Sequence, residues 1–193
     1  MSEARVHYDE AAAPFDAPWW WESRTLFARP ALAASAFGVR REMGRLLLIA
    51  SSGGHIYEMF CLREFWQDKD RFWVTFGTAD ARYLLRDEQE VYWAAHPTVR
   101  NVPNLLRNLV LALRLLIRHR PAMILTTGSG VAAPFLWLAW LLRIPTVFVE
   151  SITRITELSL TARMVKPFAS SFLVQWPELA DRISRTEYHG RIV

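Results

Sequence analysis

Cysteine is nearly absent: Cys61 is the only one in 193 residues. A single thiol excludes an intramolecular disulfide framework and points to a reducing, cytosolic setting. Long apolar runs are missing too. The longest, "VAAPFLWLAWLL", occupies residues 131–142 and stops at Arg143, whereas a spanning helix needs about 20 residues. The opening stretch, "MSEARVHYDEAAAPFDAPWWWE", has neither the basic leader nor the apolar centre of a signal peptide. Neither a transmembrane helix nor a signal peptide is therefore expected. Acidic residues are lacking between Val91 and Val149, where Arg100, Arg107, Arg114, Arg118, Arg120 and Arg143 all fall. The overall charge of +4, from 23 basic and 19 acidic residues, is too small to name a partner. The local bias, however, suits an anionic membrane surface or a phosphorylated ligand. Zinc-ligand spacing, a recognition-helix signature and aromatic–basic alternation are all missing, so nucleic acid is not expected as a partner.

What is present is apolar. The chain is 52% hydrophobic with 9 tryptophans and 11 phenylalanines, which argues against disorder and suffices for one sizeable core. Residues 1–44 read as an extension distinct from the domain at 45–193. In it, Ala11–Pro18 is rich in alanine and proline, Trp19, Trp20 and Trp21 follow, and a further segment is broken near Pro30. Three adjacent indoles suit a membrane interface, or they cap the core or reach a partner. Side chains at i and i+1 on a helix cannot all face one way.

From Arg45 onward short apolar strands alternate with helical segments. Strands are expected at Leu46–Ala50, Phe72–Phe76, Val91–Trp93, Met123–Thr127, Thr146–Val149 and Phe172–Val174. Helices are expected at Ile56–Trp66, Ala79–Arg86, Asn104–Arg120, Val131–Leu142, Ser159–Val165 and Pro177–Ile183. Solid apolar strands spaced by single helices indicate an α/β fold, a Rossmann-like and mostly parallel sheet with helices on both faces.

In such a fold ligands collect beyond the carboxyl ends of the strands. Ser51, Ser52, Gly53, Gly54 and His55 follow the first strand directly. Glycines there can turn backbone N–H groups toward a phosphate or a sugar hydroxyl at a helix start, although a βα loop needs glycine in any case. His55 sharpens the signal: an imidazole at that mouth can take a proton from an attacking hydroxyl, or it is a structural cap. A second loop, "TTGSG" at Thr126–Gly130, repeats the arrangement. Neither loop fits a dinucleotide fingerprint or a P-loop, whose lysine is missing, and no cofactor or metal is expected. Glu150 leaves the next strand where the crevice opens. It either orients an acceptor hydroxyl or His55, or anchors its own loop through backbone amides. Arg154 either meets a phosphate or pairs with Glu157. On the Asn104–Arg120 helix, Arg107, Arg114 and Arg118 fall on one narrow stripe at about 100° per residue. The broad apolar remainder is either core or a face lying in a bilayer surface with arginines reaching headgroups.

These loops, with "FVESITRITELSLTARMVKPFASSFLVQWPELA" and the terminal "YHGRIV", carry a resemblance. From roughly Arg45 to Val193 the chain resembles the membrane-anchoring, acceptor-side subunit of the two-part UDP-N-acetylglucosamine transferase of lipid-linked oligosaccharide synthesis. It is similar also to the bacterial PssD-like exopolysaccharide glycosyltransferases. The resemblance implies the N-terminal, acceptor-side half of a GT-B glycosyltransferase. That half holds a polyprenyl-diphosphate-linked glycan acceptor at the cytoplasmic face of a membrane, while a small separate subunit supplies the UDP-sugar pocket. The sugar transferred would be N-acetylglucosamine or another hexose. Under the resemblance, Ser52, Gly53, Gly54 and His55 match the first glycine loop and its candidate base. Thr127, Gly128, Ser129 and Gly130 match the second loop, and Glu150 the acidic residue of the crevice. Tyr188, Gly190, Arg191, Ile192 and Val193 match a tail that packs on the donor-binding partner. Eukaryotic members carry an obvious N-terminal membrane helix; here attachment is expected to be peripheral, through Trp19–Trp21 and the Asn104–Arg120 helix. The competing reading is a non-catalytic membrane scaffold that recruits a soluble, complete transferase.

Overall fold

The computed structural model describes residues 44–98 and 101–192, so the expectations for Trp19–Trp21 and for Val193 fall outside the described residues. Among the described residues, seven strands form one parallel sheet in the order β3-β2-β1-β4-β5-β6-β7. The first half of the domain runs β1 (Leu46–Ile49), α1 (Gly54–Cys61), α2 (Arg63–Trp66), β2 (Arg71–Phe76), α3 (Ala79–Leu84) and β3 (Val91–Ala94). The second runs α4 (Val102–His119), β4 (Met123–Thr126), α5 (Ala132–Leu141), β5 (Thr146–Val149), α6 (Leu160–Val165), β6 (Ser171–Val174), α7 (Pro177–Arg182) and β7 (Glu187–Tyr188). β1 lies between β2 and β4, with Leu46 opposite both Arg71 and Met123. The strand order reverses at this point, and the chain leaves β1 and β4 around a crevice.

The apolar runs are solid because both faces of the sheet are covered. Leu47 and Ile49 point into the larger core with Phe72, Phe135, Phe148 and Phe172. Leu46 and Leu48 point the opposite way, against Ile56, Met59, Trp66 and Trp73. Each fully buried side chain of this size stabilises the fold by about 1.5–3 kcal/mol. Most of this core belongs to segments that the apolar pattern predicts.

Three departures from expectation have local reasons. The helix expected over Ile56–Trp66 is two helices, because Leu62 leaves helical geometry (φ −91°, ψ 14°). The Trp66 indole N–H donates to the Met59 carbonyl at 2.8 Å, taking the acceptor that a continuous helix would give to Arg63. Trp66 thereby reaches Trp73 edge-on, with ring centroids 5.2 Å apart. α4 begins before Pro103, since Asn101 caps it by accepting the Asn104 N–H at 3.0 Å and proline is tolerated in a first turn. β7 lies in the stretch expected only to form a tail.

Candidate functional site

At the carboxyl ends of β1 and β4 the two glycine loops lock together. His55, second residue of α1, has Nδ1 2.8 Å from the Thr127 carbonyl oxygen. The Thr127 hydroxyl returns a bond to the His55 carbonyl at 2.6 Å. A carbonyl can only accept, so the ring carries its proton on Nδ1 and leaves Nε2 with a lone pair in the neutral state. Gly128 lies beside the ring: a methyl group there would be in van der Waals contact, 3.5 Å from His55 Cε1 and 3.4 Å from Phe148 Cζ, so it is the φ of +99° that favours glycine. Ser129 is held at φ 82° although it carries a side chain, a strain of about 1 kcal/mol or more of the kind that clusters at functional sites. Gly130 passes so close to Thr98 that an added Cβ would come within 2.7 Å of its hydroxyl.

The first loop differs from expectation in one respect. The Gly53 N–H, read as available to a phosphate, donates to the Asp80 carboxylate at 2.9 Å. Ser52 and Gly54 sit in the same turn, and no side chain caps the start of α1.

Glu150 has the contacts of the loop anchor. It is 1% exposed, and its two oxygens accept the N–H groups of Ser151 at 3.0 Å and Ser159 at 2.9 Å. The His55 Nδ1–H goes to Thr127 and not to Glu150. Burial pushes the Glu150 carboxyl above its ordinary range, against the opposing pull of the Ser159 and Ser151 amides and of Arg154. Arg154 is exposed in the loop that follows. Glu157 pairs with Arg163 at 2.7 Å, so the Arg154–Glu157 pair is replaced among the described residues.

Two residues of this centre were not among the sequence candidates. Glu58, one turn along α1 from His55, is buried. Its Oε1 accepts the Ser151 hydroxyl at 2.9 Å and the Ile152 N–H at 3.0 Å, and Oε2 stands 3.8 Å from His55 Nδ1. Its i,i+3 spacing from His55 was the available signal. Gln175, directly after β6, donates to the Glu150 carbonyl at 3.0 Å and accepts the Ile192 N–H at 2.8 Å. The strand-end rule that picked Glu150 applies equally to it. For His55, burial alone would lower the pKa, but Glu58, the Thr127 carbonyl and Glu150 together outweigh it and hold the imidazole above the ordinary histidine value.

The tail packs on the domain itself. Ile192 is buried in the smaller core, the Arg191 guanidinium lies 3.8 Å from the Trp176 ring centroid, Gly190 takes φ 105°, and Tyr188 pairs with Val174 while its side chain stays exposed. On α4, Asn104, Asn108, Ala112, Leu115 and Leu116 face inward. Val102, Leu106, Val110, Leu113 and Ile117 are exposed, beside the equally exposed Arg107, Arg114 and Arg118. The apolar remainder of this helix is thus not all core. Among the described residues, no helix is long and apolar enough to cross a membrane.

A family model described as "Oligosaccharide biosynthesis protein Alg14 like" matches residues 94–192. The chain is 38% identical over 88 residues to "UDP-N-acetylglucosamine transferase subunit ALG14" of Yarrowia lipolytica, covering 42% of this chain and 41% of that protein. It is 33% identical over 94 residues to the Homo sapiens protein of the same description, covering 46% and 44%. With the Debaryomyces hansenii protein the match is 24% over 210 residues, covering 88% and 90%. The chain thus spans less than half the length of the Yarrowia and human relatives and nearly all of the Debaryomyces one. Among solved structures, MurG of Acinetobacter baumannii superposes with a TM-score of 0.60 at 18% identity, covering 75% of this chain and 44% of that one. A UDP-N-acetylglucosamine 2-epimerase from Rickettsia bellii gives 0.60 at 13% identity, covering 78% and 45%. The fold is accordingly a parallel α/β sheet of the GT-B-like kind.

Proposed function

Because the chain belongs to the Alg14-like family of oligosaccharide biosynthesis proteins, we propose that it is the acceptor-side subunit of a heteromeric glycosyltransferase. It corresponds to the N-terminal half of a GT-B enzyme, carried by the domain at 45–193. It positions a polyprenyl-diphosphate-linked glycan at a membrane while a second, donor-binding subunit brings the UDP-sugar. The observation that carries this reading is the pinned imidazole of His55, whose Nδ1–H is committed to the Thr127 carbonyl so that Nε2 is left to act at the crevice. A sugar hydroxyl is a weak nucleophile near neutral pH. Transfer gains about 10²–10⁴ in rate if a positioned base removes its proton as the bond to the anomeric carbon forms. His55 is that base, and Glu150 acts from behind it by holding its loop. The Thr127–Gly130 turn and Arg154 receive the acceptor's phosphates, with Ser52, Gly53 and Gly54 as the opposite wall. The Asp80 carboxylate on the Gly53 amide favours a sugar hydroxyl there over a phosphate. Tyr188, Gly190 and Arg191 offer their outer surface to the donor-binding subunit, and Ile192 fixes the tail they stand on.

Reconstitution tests this. The purified chain should bind a UDP-sugar weakly or not at all, and transfer to a polyprenyl-diphosphate glycan should appear when the donor-binding subunit is added. Tight donor binding by the chain alone defeats the division of labour. Full activity of a His55→Ala pair would leave only the scaffold role. Membrane placement is tested separately. Each arginine of the α4 stripe contributes about 1 kcal/mol of attraction near an anionic surface. Changing Arg107, Arg114 and Arg118 together to glutamine should release the protein from anionic liposomes with its circular dichroism unchanged, and unaltered co-sedimentation refutes the placement.

A further inference from the structure

We infer that Glu58 is a positioning residue for His55: its buried, unpartnered Oε2 stabilises the imidazolium that forms when Nε2 takes the acceptor's proton, while its Oε1 ties α1 to the loop after β5. The inference rests on the reading of His55 as the base. Glu58 is 4% exposed. One oxygen is fully used, by Ser151 and Ile152. The other has no hydrogen-bond partner among the described residues and stands 3.8 Å from His55 Nδ1. A buried acceptor left unpaired costs stability, and among the described residues the ion-pair partner within reach is the ring one turn before it on α1. That ring is held from turning to meet it, because the Thr127 carbonyl takes its Nδ1–H from β4's loop. The carboxylate therefore acts through space. It does little for the neutral imidazole and much for the charged one.

The proton inventory is simple. The acceptor hydroxyl loses its proton to Nε2, and its oxygen forms the bond to the anomeric carbon. The bond from that carbon to the departing nucleotide diphosphate breaks, and His55 is left doubly protonated beside Glu58. Other groups that act on His55 are Glu150, behind the loop, and the Thr127 carbonyl. Asp80 and Arg154 border the same crevice, on the Gly53 amide and beside Glu150 respectively.

Glu58→Gln separates charge from architecture, since a glutamine oxygen can still accept from Ser151 and Ile152. Histidine resonances of the full chain, with His55 assigned by its loss in His55→Gln, give the titration directly and need no activity. An opposite charge at this range shifts a pKa by about 1–3 units, so the His55 midpoint in Glu58→Gln should fall by about one unit or more. In the reconstituted pair the acidic limb of kcat/KM should move down by the same amount and the plateau should drop, while KM for the acceptor stays unchanged. An unmoved His55 midpoint overturns the inference. If Glu58→Gln does not fold, the carboxyl carbon of Glu58 in the wild-type chain should report the His55 midpoint in its own titration, and silence there overturns the inference equally. A moved midpoint with an active His55→Ala pair would instead mean that the coupling is real and the base assignment wrong.

Discussion

The two ends of the sheet each hold a histidine beside a glutamate, and they treat it in opposite ways. At the amino end, the Arg45 guanidinium donates to His119 Nδ1 at 2.8 Å, and Nε2 lies 2.9 Å from the Tyr92 hydroxyl. Arginine can only donate, so His119 carries its proton on Nε2 and gives it to Tyr92, which donates in turn to Glu90. Glu90 also receives Arg45, which reaches Asp70 at 3.3 Å as well. Both ring nitrogens of His119 are used, and its ring stacks at a tilt on Phe72, 4.6 Å between centroids. At the carboxyl end His55 spends one nitrogen and keeps the other. Saturated networks rigidify a fold. An incompletely satisfied one, with a strained Ser129 beside it, is where chemistry is to be sought. The difference shows in the imidazoles themselves. Burial, with Arg45 and Arg118, holds His119 below the ordinary histidine value in spite of Glu90, whereas His55 is held above it.

The sharpest break between the ends should be in rate. His55→Ala in the reconstituted transferase should lose about 10²–10⁴ in kcat, or roughly 3–5 kcal/mol. His119→Ala should keep kcat within about threefold and instead lower the stability by about 1–2 kcal/mol. Steady-state kinetics and urea titration of both variants decide it, and equal rate losses would erase the distinction. A smaller effect is expected from the backbone. Gly128→Ala places a side chain at φ +99° against the His55 ring, which should cost about 1–3 kcal/mol together with activity. Glu90→Gln should cost a similar stability and no activity. An active, stable Gly128→Ala would show that the loop does not hold the ring. The smallest effect is in pH dependence. His55, with its folded pKa raised, contributes stability below about pH 6.5 that is lost as pH rises through the folded value. His119, with its folded pKa depressed, loses stability as pH falls from about 6.5 toward its folded value. The destabilisation by His55→Gln should therefore fade as pH rises, and that by His119→Gln should fade as pH falls. Urea midpoints between about pH 5 and 8 that run parallel for the two variants contradict the assignment.

Much of the fold could be read from the chain because a sheet buried on both faces leaves an unambiguous trace. Leu46–Ile49 and Met123–Thr126 are apolar almost without interruption, and each leads into a glycine-bearing loop. β7 left no such trace. Glu187 and Tyr188 are exposed and join the sheet only through backbone bonds to Leu173 and Val174, so their pattern is that of a loop. The break at Leu62 depends on a bond from Trp66 to Met59 that no local propensity encodes. For the candidate site, strand-end position was enough to select His55, Thr127, Gly128 and Glu150. Glu58 escaped because its partners, Ser151 and Ile152, lie 93 and 94 residues away, and within its own helix it reads as one more polar residue. The two readings left open for Glu150 differ only in where its oxygens point, which sequence does not carry.

The position of β1 bears on how the molecule reaches its native state. β1, β2 and β3 follow one another along the chain, as do β4 to β7, and the strands of the two groups pair with each other through β1 and β4. The His55–Thr127 pair crosses that seam at a separation of 72 residues along the chain. Closing so long a loop is entropically costly, and contacts of this separation slow folding. Each half can therefore gain its local helices and neighbouring strands before the crevice exists. During refolding, tryptophan burial around Trp66 and Trp73 should precede the shift of the His55 resonances to their native positions, and simultaneous arrival would argue for a single concerted event. A chain arrested before the seam closes would look largely structured by circular dichroism and yet have no imidazole in place.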